Sequence, residues 1–263
     1  MNKGRIVAGK VAQGATLPEI GKIKIGEKRK NASGKEYPVS LEYFRATGNF
    51  ANQFTQIFGK EPKELHVAFV SDNLEEACYE RFESWDKGKR YGYGNGQTFT
   101  IWDQAKGEYV KGLGAKDPKV RALKWDRTLT LRFVLLKMKG ILGYWSFQTK
   151  AKEVTIPSVI KSFDMVREKA GTIVGFPFSL TIEKRSSYTP GTARTYPVVS
   201  LIPNFTEETI ESVREYIEAG GDLNRITTNM ITSGAILKQL PSGQDSEDSV
   251  IEDAEVVEEG GVK

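Results

Sequence analysis

The alternation of apolar and polar residues predicts strands along much of this chain. Within residues 128–136, Leu129, Leu131, Phe133 and Leu135 occupy every second position, which places them on one face of a strand. Further strands are expected around 23–25 and at 37–44, 65–70, 98–102, 143–149, 178–183 and 196–201, with a glycine-rich loop or hairpin at 87–97 and a long hairpin at 184–195.

Apolar residues spaced three and four apart predict helices in other segments. The clearest helix covers 156–170, and Gly171 follows it as a stop signal. A final helix is expected to begin at Thr206, a good N-cap, and to end at Gly220. Two more helices are expected over 47–58 and 74–85, and a β-rich conformation is the alternative for 74–85.

This order of elements favours an α+β fold, with largely antiparallel sheets, a few packed helices and a flexible acidic C-terminal tail. We expect a flexible basic arm over 1–20, an α+β core domain over 21–227, and a low-order segment over 228–263 that ends in the tail. A core of two subdomains that meet near 112–127 is the alternative.

The counts of histidine and cysteine exclude several kinds of site. The 263 residues include one histidine, His66, and one cysteine, Cys78, so the chain cannot form a Cys/His zinc site or an internal disulfide. His66 lies in an apolar segment and is expected to be half-buried, and Cys78 is expected to be packed. We therefore expect no catalytic residues, no metal and no cofactor.

No segment is expected to enter a membrane. The most apolar stretch, 129–145, is interrupted by Arg132, Lys137, Lys139 and Gly140, and residues 1–10 lack the apolar core of a signal peptide. We expect a cytoplasmic protein.

The net charge of +4 conceals a division between a basic body and an acidic end. Residues 245–263 contain eight acidic residues and one lysine, which leaves 37 basic and 26 acidic residues in the body, a net charge of +11. Basic surface attracts nucleic-acid phosphates, and an acidic tail can compete for that surface or recruit a protein. A solubilising terminus on a mildly basic body is the alternative.

Apolar residues interleaved with the acids make the tail a candidate partner-binding segment. Such a segment could fold against a basic groove on another protein, whereas a disordered spacer is the alternative. The candidate residues are Val250, Ile251, Val256 and Val257.

Basic residues mixed with aromatic ones indicate a candidate nucleic-acid surface. Cations follow phosphates, and aromatic rings stack on bases. The candidate residues are Lys22, Lys24, Lys28, Arg29, Lys30 and Arg45, then Lys87, Lys89, Arg90, Tyr91, Tyr93 and Trp102, then Arg185, Tyr188 and Arg194. The alternative is that Tyr91, Tyr93 and Trp102 form the core of a hairpin, and that the lysines lie on its solvent-exposed face.

A distant alternative is a magnesium-dependent nuclease. The acid-and-lysine spacing of such enzymes is similar to that of Asp103, Asp117 and Lys119. Spacings of this kind are common by accident in a chain with 27% charged residues.

Several segments, taken in order, resemble the phage recombination directionality factor-like family, the group related to the accessory factors of large serine integrases. The segments are 21–28 (GKIKIGEK), 37–47 (YPVSLEYFRAT), 78–80 through Trp85 to 88–90, 143–149 (GYWSFQT), 175–177, 180–182 and 194–201 (RTYPVVSL).

The resemblance implies a non-enzymatic phage or prophage protein of the bacterial host cytoplasm. Such a protein binds a serine integrase on DNA and biases site-specific recombination toward excision. A single-stranded or non-specific DNA-binding protein of phage replication or recombination is the alternative. Family members carry cysteines just after the segment equivalent to 85–88, which implies a metal, but this chain has Lys89, Arg90, Tyr91 and Tyr93 there.

Overall fold

The structure is a computed structural model that describes residues 17–187 and 195–222. The strands of these ranges are β1 (Glu19–Lys30), β2 (Glu36–Gly48), β3 (Glu64–Ala68), β4 (Cys78–Asp86), β5 (Lys89–Gly94), β6 (Thr98–Asp103), β7 (Glu108–Gly114), β8 (Asp126–Leu135), β9 (Tyr144–Thr149), β10 (Pro177–Ser186) and β11 (Thr195–Pro203). The helices are α1 (Ala51–Phe58), α2 (Leu74–Ala77), α3 (Pro118–Arg121), α4 (Thr155–Ala170) and α5 (Glu207–Glu218).

The strands form a long sheet and a short sheet that meet at β8. The long sheet has the order β2-β1-β9-β8-β4-β5-β6-β7, and the short sheet has the order β11-β10-β3. Val67 and Ala68 of β3 join the two by pairing with Leu135 and Val134 at the end of β8. Of these strand pairs, β1 with β9 is parallel and the others are antiparallel. The fold is therefore rich in strand with few helices, in broad agreement with the expected α+β class.

The main core lies between the two sheets and the helices. One face of β8 packs into this core through Leu129, Leu131 and Phe133, as their alternation predicts. Phe163 of α4 contacts Phe69 edge to face, with the two ring centroids 4.9 Å apart. Helices α1, α4 and α5 also contribute to this core, whereas among the described residues the opposite face of the long sheet is flanked by the short helix α2 and, near the end of β8, by Tyr216 of α5.

A second apolar cluster supports the outer strands of the long sheet. Phe99, Ile101 and Val120 are buried there, with Trp125 packed against them. A Cβ atom on Gly92 would come within 2.7 Å of the Trp125 ring, and one on Gly94 would come within 2.5 Å of the Phe99 ring. The two glycines thus leave room for these rings, and Tyr93 between them points to the opposite face.

The expected helix over 74–85 is wrong. Asn73 caps only the short helix α2, and Cys78 is already extended, with φ −149° and ψ 99°. From there β4 pairs with β8, Cys78 opposite Leu131. Apolar residues at 74, 78, 82 and 85 satisfy a helical period, but pairing along β8 determines the conformation.

The other helical predictions are confirmed with one shifted start. The helix predicted over 47–58 begins at Ala51, because Thr47 and Gly48 still belong to β2. Helix α4 ends at Gly171, whose φ of 75° is the left-handed conformation expected of a glycine stop. Strand β7 and helix α3 were not predicted, whereas the long hairpin is confirmed by the pairing of Ser186 with Thr195.

Several sequence predictions fall on residues outside the described ranges. They are the arm up to residue 16, Tyr188, Arg194, and the segment 228–263 with Val250, Ile251, Val256 and Val257. The division into an arm, a core domain and a C-terminal segment stays a prediction. Among residues 17–187 and 195–222, no helix is both long enough and apolar enough to cross a membrane.

Candidate nucleic-acid interface

The face of the long sheet that points away from the main core collects arginine and aromatic side chains. Strand register decides this, because alternate residues of each strand share a face. On β4 that face carries Tyr79, Arg81, Glu83 and Trp85. Its neighbours across the sheet are Thr130 and Arg132 of β8, Tyr144 of β9, Arg90 and Tyr93 of β5, Trp102 of β6 and Tyr109 of β7.

Arginines and tyrosines alternate across this face in a continuous ladder. The Arg132 guanidinium carbon lies 5.3 Å from the ring centroid of Tyr144 and 5.1 Å from that of Tyr79. Arg81 lies 5.3 Å from Tyr79 and 5.9 Å from Tyr93. Arg90 lies 4.7 Å from Tyr93 on the other side. Each contact is within cation–π range, so the rings hold the guanidinium groups in place while leaving their charge intact. We call this face, from Tyr144 to Trp102, the ladder face.

The outer end of the ladder face presents aromatic rings to solvent. The ring of Tyr93 is 6.2 Å from that of Tyr109, which meets Trp102 edge to face at 5.1 Å. The Tyr109 hydroxyl donates to the backbone oxygen of Arg90 at 2.9 Å, which fixes the ring. Trp102 is 36% exposed, Tyr109 37% and Trp85 45%, so a planar ligand can reach all three rings.

A groove of about 560 Å³ runs along the inner part of the ladder face, toward β1. Its walls carry five cations, Lys22, Lys24, Arg81, Arg90 and Arg132, against two carboxylates, those of Glu19 and Glu83. Glu19 lies 3.6 Å from Lys22, and Glu83 binds Arg81.

Three of the groove cations keep an unneutralised charge. Among the described residues, no carboxylate lies within 4.0 Å of the charged groups of Lys24, Arg90 or Arg132. The hydroxyl of Thr130 on the groove floor is buried and has no hydrogen-bond partner among the described residues. The Thr130 oxygen is sealed beneath the floor, so what the groove offers to an oxyanion is its positive charge.

The buried carboxylate of Glu83 organises the centre of the ladder face. Glu83 is 1% exposed. It binds the Arg81 guanidinium, accepts from Trp85 Nε1 at 2.9 Å, and accepts from Gln148 Nε2 at 3.3 Å. One side chain thus positions an arginine and an exposed tryptophan from the same strand.

Beyond the ladder, the charge of the face changes sign. A second groove of about 680 Å³ shares Tyr79, Arg81 and Arg132 with the first but is flanked by Glu75, Glu76 and Glu80. Arg132 donates to the backbone oxygen of Glu75 at 3.1 Å. The cationic end of the face is therefore the end next to β1.

The structure brings together five of the predicted nucleic-acid residues. Lys22, Lys24 and Arg90 line the cationic groove, and Tyr93 and Trp102 lie on the ladder face. The alternative of a hairpin core does not hold for Trp102, which is exposed.

The remaining predicted residues lie elsewhere. Arg45 is opposite Lys24 but binds Glu27 at 3.3 Å. Tyr91 stands at a register shift between β4 and β5. Lys28, Arg29 and Lys30 lie on the outer half of the β1–β2 hairpin, Lys87 and Lys89 at the β4–β5 turn, and Arg185 on β10 of the short sheet, 3.8 Å from Glu183.

Sequence reasoning missed the middle of the ladder. Tyr79 and Arg81 fall in the segment predicted as a helix, and Arg132 was considered only as a break in an apolar stretch. The alternation of Tyr79, Arg81, Glu83 and Trp85 at every second position was the available signal.

The residues that suggested a nuclease have structural contacts. Lys119 donates to Asp103 at 2.8 Å, and this hydrogen bond holds the pKa of Asp103 below its usual value. Asp117 caps α3 by accepting from the Lys119 backbone at 2.8 Å. In the part of the chain that the structure describes, no three metal-ligating side chains cluster.

A family model described as recombination directionality factor-like (Gp3-like) matches residues 20–204. No curated protein and no solved structure matches the chain.

Proposed function

Because the chain belongs to the recombination directionality factor-like family, we propose that it binds a serine integrase and biases site-specific recombination toward excision. The family indicates an accessory role in phage recombination. The match over 20–204 carries this proposal, since it includes nearly all of both sheets and the ladder face.

This role requires no bond-breaking chemistry from the chain. An accessory factor needs only to bind one integrase arrangement more tightly than another, and a difference of about 1.4 kcal/mol changes their ratio tenfold. The single cysteine is buried in the core, and Asp103 and Asp117 are engaged by Lys119 and α3. We therefore propose a non-catalytic protein that acts inside the bacterial host on integrase and DNA.

The acidic segment is our candidate for the integrase contact. Val250, Ile251, Val256 and Val257 are interleaved with acidic residues, a composition that suits a basic groove on a partner. This assignment rests on sequence alone.

Recombination with purified components tests the proposal. The integrase encoded in the same phage or prophage is supplied with either the original attachment sites or the two sites that integration leaves. We expect the protein to promote excision and to inhibit integration. Unchanged yields in both directions at saturating protein would refute the proposal.

A variant of the tail tests the integrase contact. Replacing Val250, Ile251, Val256 and Val257 with serine keeps the charge of the segment. We expect it to weaken co-purification with the integrase, whereas serine at the exposed Leu142, a matched apolar control, should not. Equal capture of the tail variant and the unmodified protein would rule out this segment.

A further inference from the structure

We infer that the ladder face binds single-stranded DNA, with bases stacked on its exposed rings and phosphates along its cationic groove. This binding activity is separate from the integrase contact proposed above. The choice of DNA over RNA rests on the proposed function, since the family acts in DNA recombination.

The rings supply the stacking surface. Trp102 and Tyr109 are both more than one-third exposed and contact each other edge to face, so part of each ring reaches solvent. Every base has a π-face, so stacking tolerates any sequence. The second apolar cluster fixes this part of the sheet from behind, because Gly92 and Gly94 let Trp125 and Phe99 pack directly against β5.

The cations supply the path for the backbone. Arg90 connects the exposed rings to the cationic groove. Its guanidinium lies over the Tyr93 ring and lines the groove, and its backbone oxygen accepts a hydrogen bond from the Tyr109 hydroxyl. From there Lys24 and Lys22 continue the positive charge to the far side of the groove.

The dimensions suit a short single strand. From β9 to β7 the face crosses six neighbouring strands at about 4.8 Å each, a width of roughly 24 Å. This is enough for a site near the lower end of the range of about 4–16 nucleotides known for sheet-based single-strand binders.

Single-stranded DNA fits this face better than duplex DNA or a protein does. In a duplex the bases are stacked on one another, so Trp102 and Tyr109 would find no free base to contact. A protein partner would have to cover the unpaired charges of Lys24 and Arg90 with carboxylates. The cation–π contacts already order the arginines, which lowers the entropic cost of binding phosphate.

Fluorescence anisotropy of a labelled oligo(dT) with the full chain tests the inference. We expect binding at low salt that weakens as salt rises. Replacing Trp102 by alanine should weaken binding about tenfold, the effect of losing one stacked base, and phenylalanine at the same position should restore most of it. Arg90→Ala should lower the salt slope by about 0.7, the value for one phosphate contact to a single strand.

Matched variants outside the face provide the controls. Tyr196→Ala removes a ring that is 39% exposed on β11, and Lys161→Ala removes an exposed cation from α4, on the other side of the long sheet. We expect neither to change affinity by more than about twofold. Thermal melting of Trp102→Ala and Trp102→Phe confirms that each variant is folded.

Three outcomes would overturn the inference. They are no binding of oligo(dT) at low salt, equal or tighter binding of duplex DNA or RNA of the same length, and equal effects of Trp102→Ala and Tyr196→Ala. The recombination assay separates the two proposals. If Trp102→Ala loses DNA binding but keeps the bias toward excision, the ladder face and the integrase contact are independent. If oligo(dT) does not bind while the bias persists, this inference fails and the proposed function stands.

Discussion

At the scale of single residues, Glu83 shows how a buried charge can organise an exposed surface. Its carboxylate is enclosed by the sheet, yet its three partners, Arg81, Trp85 and Gln148, all line the groove. A buried carboxylate is stable only when its lone pairs are satisfied, so the folded protein must hold these partners in place. The free energy of folding is thereby linked to the geometry of the ladder face.

We predict that Glu83→Gln lowers the free energy of unfolding by about 1–3 kcal/mol, because Arg81 loses its counter-charge in a partly buried position. Urea denaturation followed by tryptophan fluorescence measures the change. Glu183→Gln is the control, since its ion pair with Arg185 is exposed and 3.8 Å long, and its effect should stay within about 0.5 kcal/mol. Equal losses for the two variants would contradict the organising role of Glu83.

The thiol of Cys78 should be unreactive in the folded protein. Burial, with a smaller contribution from the negative charges of Asp164 and Glu80, raises the pKa of Cys78 from 9.0 to about 12. The unfolded thiol therefore ionises first as pH rises, so this group stabilises the fold fully below about pH 9 and loses that contribution above it. We expect Ellman's reagent at pH 8 to react slowly with the native protein and rapidly in urea. Rapid reaction of the native protein would show that the thiol is accessible.

At the scale of elements, the turn between β4 and β5 holds a residue in an unfavourable conformation. Lys87 has φ 46° and Gly88 has φ 78°, and Asp86 pairs with Lys89 across the turn. Two positive φ angles in a two-residue hairpin loop are typical of a type I′ turn, which prefers Asn-Gly. A lysine at the first position is strained, whereas the glycine that follows it is not.

We predict that Lys87→Asn raises the free energy of unfolding by about 0.5 kcal/mol, because asparagine adopts the left-handed conformation more readily. This corresponds to an increase in melting temperature of about 1–2 °C, which thermal denaturation can measure. Lys89→Asn removes the same charge from a strand position and should not stabilise the protein. A stabilisation common to both variants would indicate a charge effect instead.

The elements also show which parts of the fold follow from local pattern. Strand β8 and helix α4 could be predicted because their apolar residues satisfy only one period. Segment 74–85 could not, since its spacing fits a helix while β8 offers a distant partner that makes it a strand. Strand β7 was missed because Gly112 and Gly114 weaken its β-propensity and because, among the described strands, it pairs with β6 alone.

The candidate site, like the fold, could be predicted from the sequence only where a local pattern marks its residues. Lys22, Lys24, Arg90, Tyr93 and Trp102 were identified because composition alone marks them. Their assembly with Arg132, Tyr79 and Tyr144 depends on the order β9-β8-β4-β5, which brings together residues far apart in the sequence. Sheet order is set by packing of the whole core, so no local pattern contains it.

At the scale of the whole molecule, charge is divided between the body and the C-terminal segment. The ladder face lies on a body of net charge +11, and residues 245–263 carry eight of the 34 acidic residues. Helix α5 is the last described element, and its Tyr216 packs near Val134 and Leu136, just after Arg132 on β8. The chain that leads to the acidic segment therefore starts close to the end of the strand that carries Arg132 to the ladder face.

We predict that the acidic segment weakens DNA binding by competing for the cationic groove. Replacing its eight acidic residues with asparagine and glutamine raises the net charge of the full chain from +4 to +12. Since phosphate binding depends on cations that are free to release counterions, this variant should bind oligo(dT) about tenfold more tightly at about 50 mM salt, with a steeper salt dependence. Replacing eight exposed acids elsewhere on the body would add the same charge, so it provides the matched control. If both variants tighten binding equally, net charge alone accounts for the gain; a larger gain from the tail variant shows that the segment competes for the groove itself.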